Sequence, residues 1–395
     1  MDTDRTDQNQ NQNHRMARPR SSILSLGSNL CSSALICGCL LFPGCGSSNS
    51  RTQPIAGTAS MGIMSRDPST VPDTSIESTE PWSYNSKDGR LVRTPHYRLF
   101  TTQADTVLNA RIPAFLESAL ASYRTSLANT PLPEPDLKLD TYILRSRPDW
   151  ALLTRQMTGD QADVFLRIQR GGFAFGGKAL LFEIGSHDTA AIVAHEGWHQ
   201  YTQRTFKRPL PVWLEEGIAT YHEGHRFDGH GNPEFLPWLN PERFDQLRRA
   251  AAANRIRPLG ALLDNAPQNL LVGGTSKSTE ALDYYAQVWA LTLFLAEGTG
   301  GNDGPKYRTA LSTLLSDAAS ANIDEHLTRT FGPSEARRTL LARRGPGVFI
   351  AYFGDLNQTE AEYDRFIKRL VHPGSRGPII AGQSPFADAG QPASR

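Results

Sequence analysis

The reading of this chain turns on TAAIVAHEGWHQYTQRTF at 189–206 and PVWLEEGIATY at 211–221. In the first segment His195 and His199 stand four residues apart. On a helix that spacing puts both imidazoles on one face, one turn apart, where they can converge on one metal ion. Glu196 is turned by about 100° from His195. It therefore lies beside such an ion without binding it, placed to take a proton from water and return it to a leaving group. The pattern predicts a helix over 188–206, with Asp188 as N-cap and a mostly apolar opening at 189–193. Ile192 falls on the His195 face and backs it with core.

A two-histidine site needs a third protein ligand and an open position for water. The second segment predicts an amphipathic helix over 212–224. Its Glu216 follows His199 by 17 residues, which leaves room for a helix end, a turn and a returning helix. His222, His225 and His230 are near enough in sequence to compete, but at or past the end of that helix they read as exposed or substrate-facing. Glu223 reads as a supporting or surface group and Glu215 as solvated.

Working outward, residues 96–102, 137–144, 164–168 and 179–184 read as strands, and 107–127 and 148–158 as helices. RGGFAFGG at 170–177 has no GK[ST] after it and reads as a hairpin turn, not a phosphate loop. Helices follow over 241–254, 280–298, 305–318 and 359–370. Strands first and helices after predict an α+β fold: a mixed or antiparallel N-terminal sheet with the active-site helix, then a mostly helical half.

The ends differ from this body. Residues 46–90 are rich in Ser, Thr, Pro and Gly and read as a disordered linker, and 376–395 as a frayed tail, leaving a folded body over 91–375. All four cysteines, Cys31, Cys37, Cys39 and Cys45, precede the body, which excludes a disulfide framework or a cysteine-held metal there. Residues 1–45 run from Arg15, Arg18 and Arg20 through an apolar stretch densest at 34–42 to small residues, the order of an export signal. That stretch is about half of the roughly 20 residues a spanning helix needs. FPGC at 42–45 resembles a bacterial lipobox, although Phe42 and Pro43 depart from its usual residues. The resemblance implies a lipid anchor at Cys45 and a place in the cell envelope, or secretion if Cys45 is not acylated. With 41 basic and 40 acidic residues, the balance gives no reason to expect nucleic acid as a partner.

HEGWHQ followed by PVWLEEGIATY resembles the gluzincin clan of zinc metallopeptidases, which includes the thermolysin and aminopeptidase N types. In that pattern the Glu before the Gly is the third ligand, which places the role on Glu216, not Glu215. The metzincin pattern fails, because Thr202 and Thr205 stand where it needs Gly and His. The longer run from RGGFAFGG to TYHEG also resembles an uncharacterised bacterial envelope family of gluzincin type. In the aminopeptidase N type a downstream tyrosine stabilises the oxyanion. YAQ at 285–287 matches its motif loosely and points to Tyr285, with Tyr284 as the rival. The Gly-Ala-Met-Glu-Asn signature of that type is absent. The resemblance implies Zn2+ on His195, His199 and Glu216, with Glu196 as proton shuttle and a peptide or protein as substrate. Two other outcomes stay open: a catalytically silent binding or scaffold protein, and an amidase acting on cell-wall peptides.

Overall fold

The computed structural model describes residues 75–266, 274–298 and 306–386, with backbone alone at 274–278. The export signal, Cys45 and residues 46–74 of the expected linker lie outside them. The rest of that linker is folded. Strands β1 (Ser78–Tyr84) and β2 (Lys87–Arg93) pair antiparallel. Asn85 and Ser86, both at positive φ (48° and 58°), make the two-residue turn between them. Polar composition hid the alternation that matters here: Trp82 and Tyr84 share one face of β1 with Glu80.

Strands β3 (Tyr97–Thr101), β4 (Leu139–Leu144), β5 (Gly172–Phe175) and β6 (Lys178–Phe182) complete a six-stranded sheet in the order β1-β2-β3-β4-β6-β5. β3, β4 and β6 are parallel, while β5 returns antiparallel along the edge, so the sheet is mixed. Helix α1 (Thr106–Thr125) makes the first crossover; α2 (Arg147–Thr158) and α3 (Ala162–Phe165) belong to the second. Two expectations are corrected. Residues 164–168 are no strand: the Arg147 guanidinium donates to the carbonyls of Leu166 and Ile168, closing a short helix and turn. Residues 171–177 are not all turn either, since 172–175 form β5 and only Gly176 and Gly177 turn the chain.

The sheet has two unlike faces. Leu99, Leu139, Ile143, Ala179 and Leu181 point to α1 and to α4 (Ser186–Thr205). Tyr142, Leu180 and Phe182 point the other way, against Trp150 of α2 and Phe165. α4 is pinned to the inner face by the buried Gln200 amide, which donates to the carbonyl of Asp140 (2.7 Å) and accepts from Thr141 Oγ1 (3.1 Å). Its N-cap is Gly185, not Asp188; Asp188 sits in the first turn and pairs with Arg170.

After α4 the protein is mostly helical, apart from the small hairpin of β7 (His225–Phe227) and β8 (Pro233–Phe235). Helices α5 (Val212–Tyr221), α6 (Pro241–Ala252), α7 (Leu259–Leu263) and α8 (Gly274–Glu297) come first. They are followed by α9 (Arg308–Ser320), α10 (Ile323–Phe331), α11 (Pro333–Ala342), α12 (Gly347–Phe353), α13 (Leu356–Leu370) and α14 (Arg376–Ile380). The expected tail therefore contains α14, and Phe386 beyond it packs on Trp238 and Phe366. No helix among the described residues is long and apolar enough to cross a membrane.

Candidate metal centre

α4 and α5 lie antiparallel, and the turn between them is clasped from outside. Lys207 and Arg208 N–H groups donate to the carbonyls of Ala319 and Ala318, and Val212 N–H donates to that of Arg343. Two glycines set how closely the helices approach. A Cβ on Gly197 would stand 2.5 Å from the Tyr123 hydroxyl, which donates to the Ala194 carbonyl at 2.7 Å. A Cβ on Gly217 would stand 2.3 Å from Thr292 Oγ1 of α8. The glycines of HEGWH and LEEG thus let α1 and α8 close on the site.

At this crossing His195, His199 and Glu216 each present one ligand atom, all within 4.8 Å of one another and all buried. His195 Nε2 lies 3.5 Å and His199 Nε2 3.6 Å from Glu216 Oε2. Ligands at about 2.0–2.1 Å on a tetrahedral ion sit roughly 3.4 Å apart, so the spacing suits a small cation. The other nitrogen of each ring is already committed. His195 Nδ1 is 2.9 Å from Glu223 Oε1, and His199 Nδ1 is 3.1 Å from Glu215 Oε1. Carboxylates accept only, so both Nδ1 atoms carry a proton, which leaves each Nε2, facing Glu216, as the atom that can bind a metal once its own proton is displaced. His199 Nε2 and Glu216 Oε2 are buried with no hydrogen-bond partner among the described residues, a costly state that a cation relieves.

The supporting carboxylates are themselves held. Glu215 Oε1 accepts from Thr202 Oγ1 at 2.7 Å. Glu223 accepts from Arg243 Nη2 (2.8 Å) and Nε (3.0 Å) and from Asn240 Nδ2 (2.9 Å). Both are buried, which corrects the solvated reading of Glu215 and fixes Glu223 in the supporting role. Thr202, Asn240 and Arg243 carried no signal in the sequence, because only the folded chain brings them to the histidines.

The electrostatics agree with the geometry. Burial works against a charged His195, but Glu216 and Glu223 outweigh it and hold the imidazole up to about 9. His199 is likewise raised against its burial by Glu216 and Glu215. For Glu216, burial is outweighed by the two histidines, which lower it. An anionic field that keeps protons on two buried imidazoles also attracts a metal cation in their place. Glu196 differs: burial lifts it to about 7 against the pull of both histidines. Its Oε2 finds no hydrogen-bond partner among the described residues, while the backbone N–H of Ala174 on β5 is bonded to the carboxyl.

A family described as a protein of unknown function (DUF1570) matches residues 189–302. That match takes in most of α4 and all of α5 and continues through α8, but it covers less than half of the chain and leaves the six-stranded sheet outside. No curated protein and no solved structure matches.

The remaining expected residues separate clearly. Tyr285 is fully buried, its ring 6.2 Å from that of His195 and under the Arg243 guanidinium at 5.3 Å. Tyr284 packs edge-on against it at 5.8 Å, and its hydroxyl has no hydrogen-bond partner among the described residues. Both phenols are raised by burial first and by Glu216 next. His222 and His225 are buried, contrary to expectation, and His230 is exposed. A cavity of about 80 Å³ lies against Glu223 and Arg243, with Ile184, Ala191 and Leu239 in its wall.

Proposed function

We propose that this protein is a zinc-dependent peptidase of gluzincin type that works in the cell envelope. One observation carries the reading: the unpartnered Glu196 oxygen stands beside three converging ligand atoms that can hold a metal. When bound, zinc supplies Lewis acidity and brings water near neutral pH within reach of a carboxylate base. His195, His199 and Glu216 hold the ion. Glu196 accepts a proton from water and returns it to the leaving amine, a role suited to a carboxyl lifted to about 7. Tyr285, or Tyr284 beside it, donates to the oxygen that becomes negative. β5 supports a peptide as substrate. Its edge has no strand partner beyond it among the described residues, and Ala174 ties it to Glu196. An extended chain can add to such an edge through its own backbone.

A second reading rests on burial. The three ligands are only 0–4% exposed, as suits a metal that fastens α4 to α5 in a silent binding protein. A fastening site has no use for Glu196, whose buried, half-satisfied carboxylate weakens the fold. The two readings part on one experiment with the purified full chain. Expected are stoichiometric zinc and hydrolysis of a peptide library that stops with a chelator and returns with zinc. Glu196→Gln then keeps the metal and lowers turnover by about 10²–10⁴. Stoichiometric zinc without turnover of any peptide sinks the peptidase reading and leaves the fastening site. Hydrolysis of cell-wall muropeptides alone shifts the substrate to a wall amide.

A further inference from the structure

The outer face of the sheet carries charge of its own, on the side away from α4. Strand register aligns Arg93, Arg98, Asp140 and Lys178 in one row across β2, β3, β4 and β6. At the end of that row is a cleft of about 530 Å³, walled also by Lys138, Arg204 and the turn at Gly176 and Gly177. This lies within the usual range of small-ligand pockets, about 300–1,000 Å³. Five cationic side chains line it. Three are matched: Arg93 by Glu80, Arg98 by both oxygens of Asp140 (2.6 and 2.8 Å), and Lys138 by Glu77. Lys178 and Arg204 have no acidic partner among the described residues. Two positive charges therefore stay uncompensated at one cleft.

The stem of Arg204 packs on the turn there. Its Cδ and Cγ occupy the space a Cβ on Gly177 would take, at 2.0 and 2.6 Å from that position. Gly177, at φ +74°, is in turn fixed by the side-chain oxygen Oε1 of Gln203, which accepts from its N–H at 3.0 Å. A guanidinium fork and an ammonium facing a shared space are the donors that suit a phosphate group, a compact dianion. We infer that this cleft binds a phosphate group, carried by a soluble phosphoester or by a phospholipid headgroup. The inference is independent of the metal centre.

The test uses the full chain with Cys45→Ser, so that acylation contributes nothing, at low ionic strength. Inorganic phosphate is titrated by calorimetry, and vesicles of phosphatidylcholine with and without phosphatidic acid are sedimented with the protein. The variant combines Lys178→Glu and Arg204→Glu, two partly or fully exposed side chains with no partner to lose, and an unchanged unfolding midpoint shows that it folds. Arg155→Glu, away from the cleft, is the control. The wild type and the control should bind, chloride at equal concentration should not compete, and the double variant should bind about tenfold more weakly or worse. A loss confined to free phosphate assigns a soluble phosphoester, and a loss confined to phosphatidic acid vesicles assigns a headgroup. Wild type that binds neither, or a double variant equal to wild type in both, overturns the inference.

Discussion

Two pairs of buried histidines sit close together in this protein and behave in opposite ways. His195 and His199 face carboxylates on every side and are raised, His195 to about 9. His222 and His225 lie just beyond α5 among aromatic rings: Tyr123 at 4.8 Å from His222 and Phe115 at 5.0 Å from His225. Burial pushes these two down, to about 3 and about 4. Their nearest polar partners are weak acceptors, the Ser122 hydroxyl at 3.3 Å and the Glu223 carbonyl at 2.8 Å. Burial alone thus makes a histidine neutral and inert. A carboxylate behind each Nδ1 and another before each Nε2 suits it to hold a metal ion.

The sharpest way to break this contrast is to remove a ligand. His199→Ala should abolish stoichiometric zinc, measured by metal analysis after dialysis, while His222→Ala leaves it unchanged. A metal lost equally in both would make the two pairs alike. Next come the supporting carboxylates. Glu215→Gln should weaken zinc by about 10–100-fold in a chelator competition. Glu223→Gln should do the same and also lower stability by about 3–5 kcal/mol, because it strips the buried Arg243 of its charge partner. Equal unfolding midpoints for the two variants would contradict the Arg243 clamp.

The aromatic pair sets the acid limit. A histidine lowered in the folded state stabilises above the ordinary value near 6.5, and that stability is lost as pH falls towards the folded value. Between pH 6 and 4, His222 should therefore cost about 1.4 kcal/mol per pH unit. His222→Phe should flatten the fall of the unfolding midpoint in that window; an unchanged slope would contradict its depressed value. The smallest effect belongs to the exposed His230. His230→Ala should change stability by less than about 0.5 kcal/mol, with no change in zinc.

How far the sequence could be read depended on the range of the interactions. Helix α1 was legible because its apolar spacing and packing face coincide; α4, α5 and α8 are buried almost all round and were legible from their apolar content and, in α4, from the spacing of His195 and His199. The hairpin of β1 and β2 was not, since its Ser- and Glu-rich residues gain an apolar face only when Trp82 meets Phe100 and Tyr142. Residues 164–168 carry the apolar content of a strand, but the donors of Arg147 close them as a turn. Glu215 and Glu216 are neighbours in one motif, and only the motif's resemblance set them apart. In the fold both face α4, one behind His199 and one between the two histidines.

By itself the sequence determined the spacing of His195, Glu196 and His199 on one helix and the order of strands before helices, because both depend on local periodicity. Tertiary structure alone decided which carboxylates stand behind the histidines, which histidines are silenced among rings, and where uncompensated cations collect. Those depend on distances between segments far apart in the chain. The electrostatics that raise His195 and lower His222 act through such distances, and no local pattern encodes them.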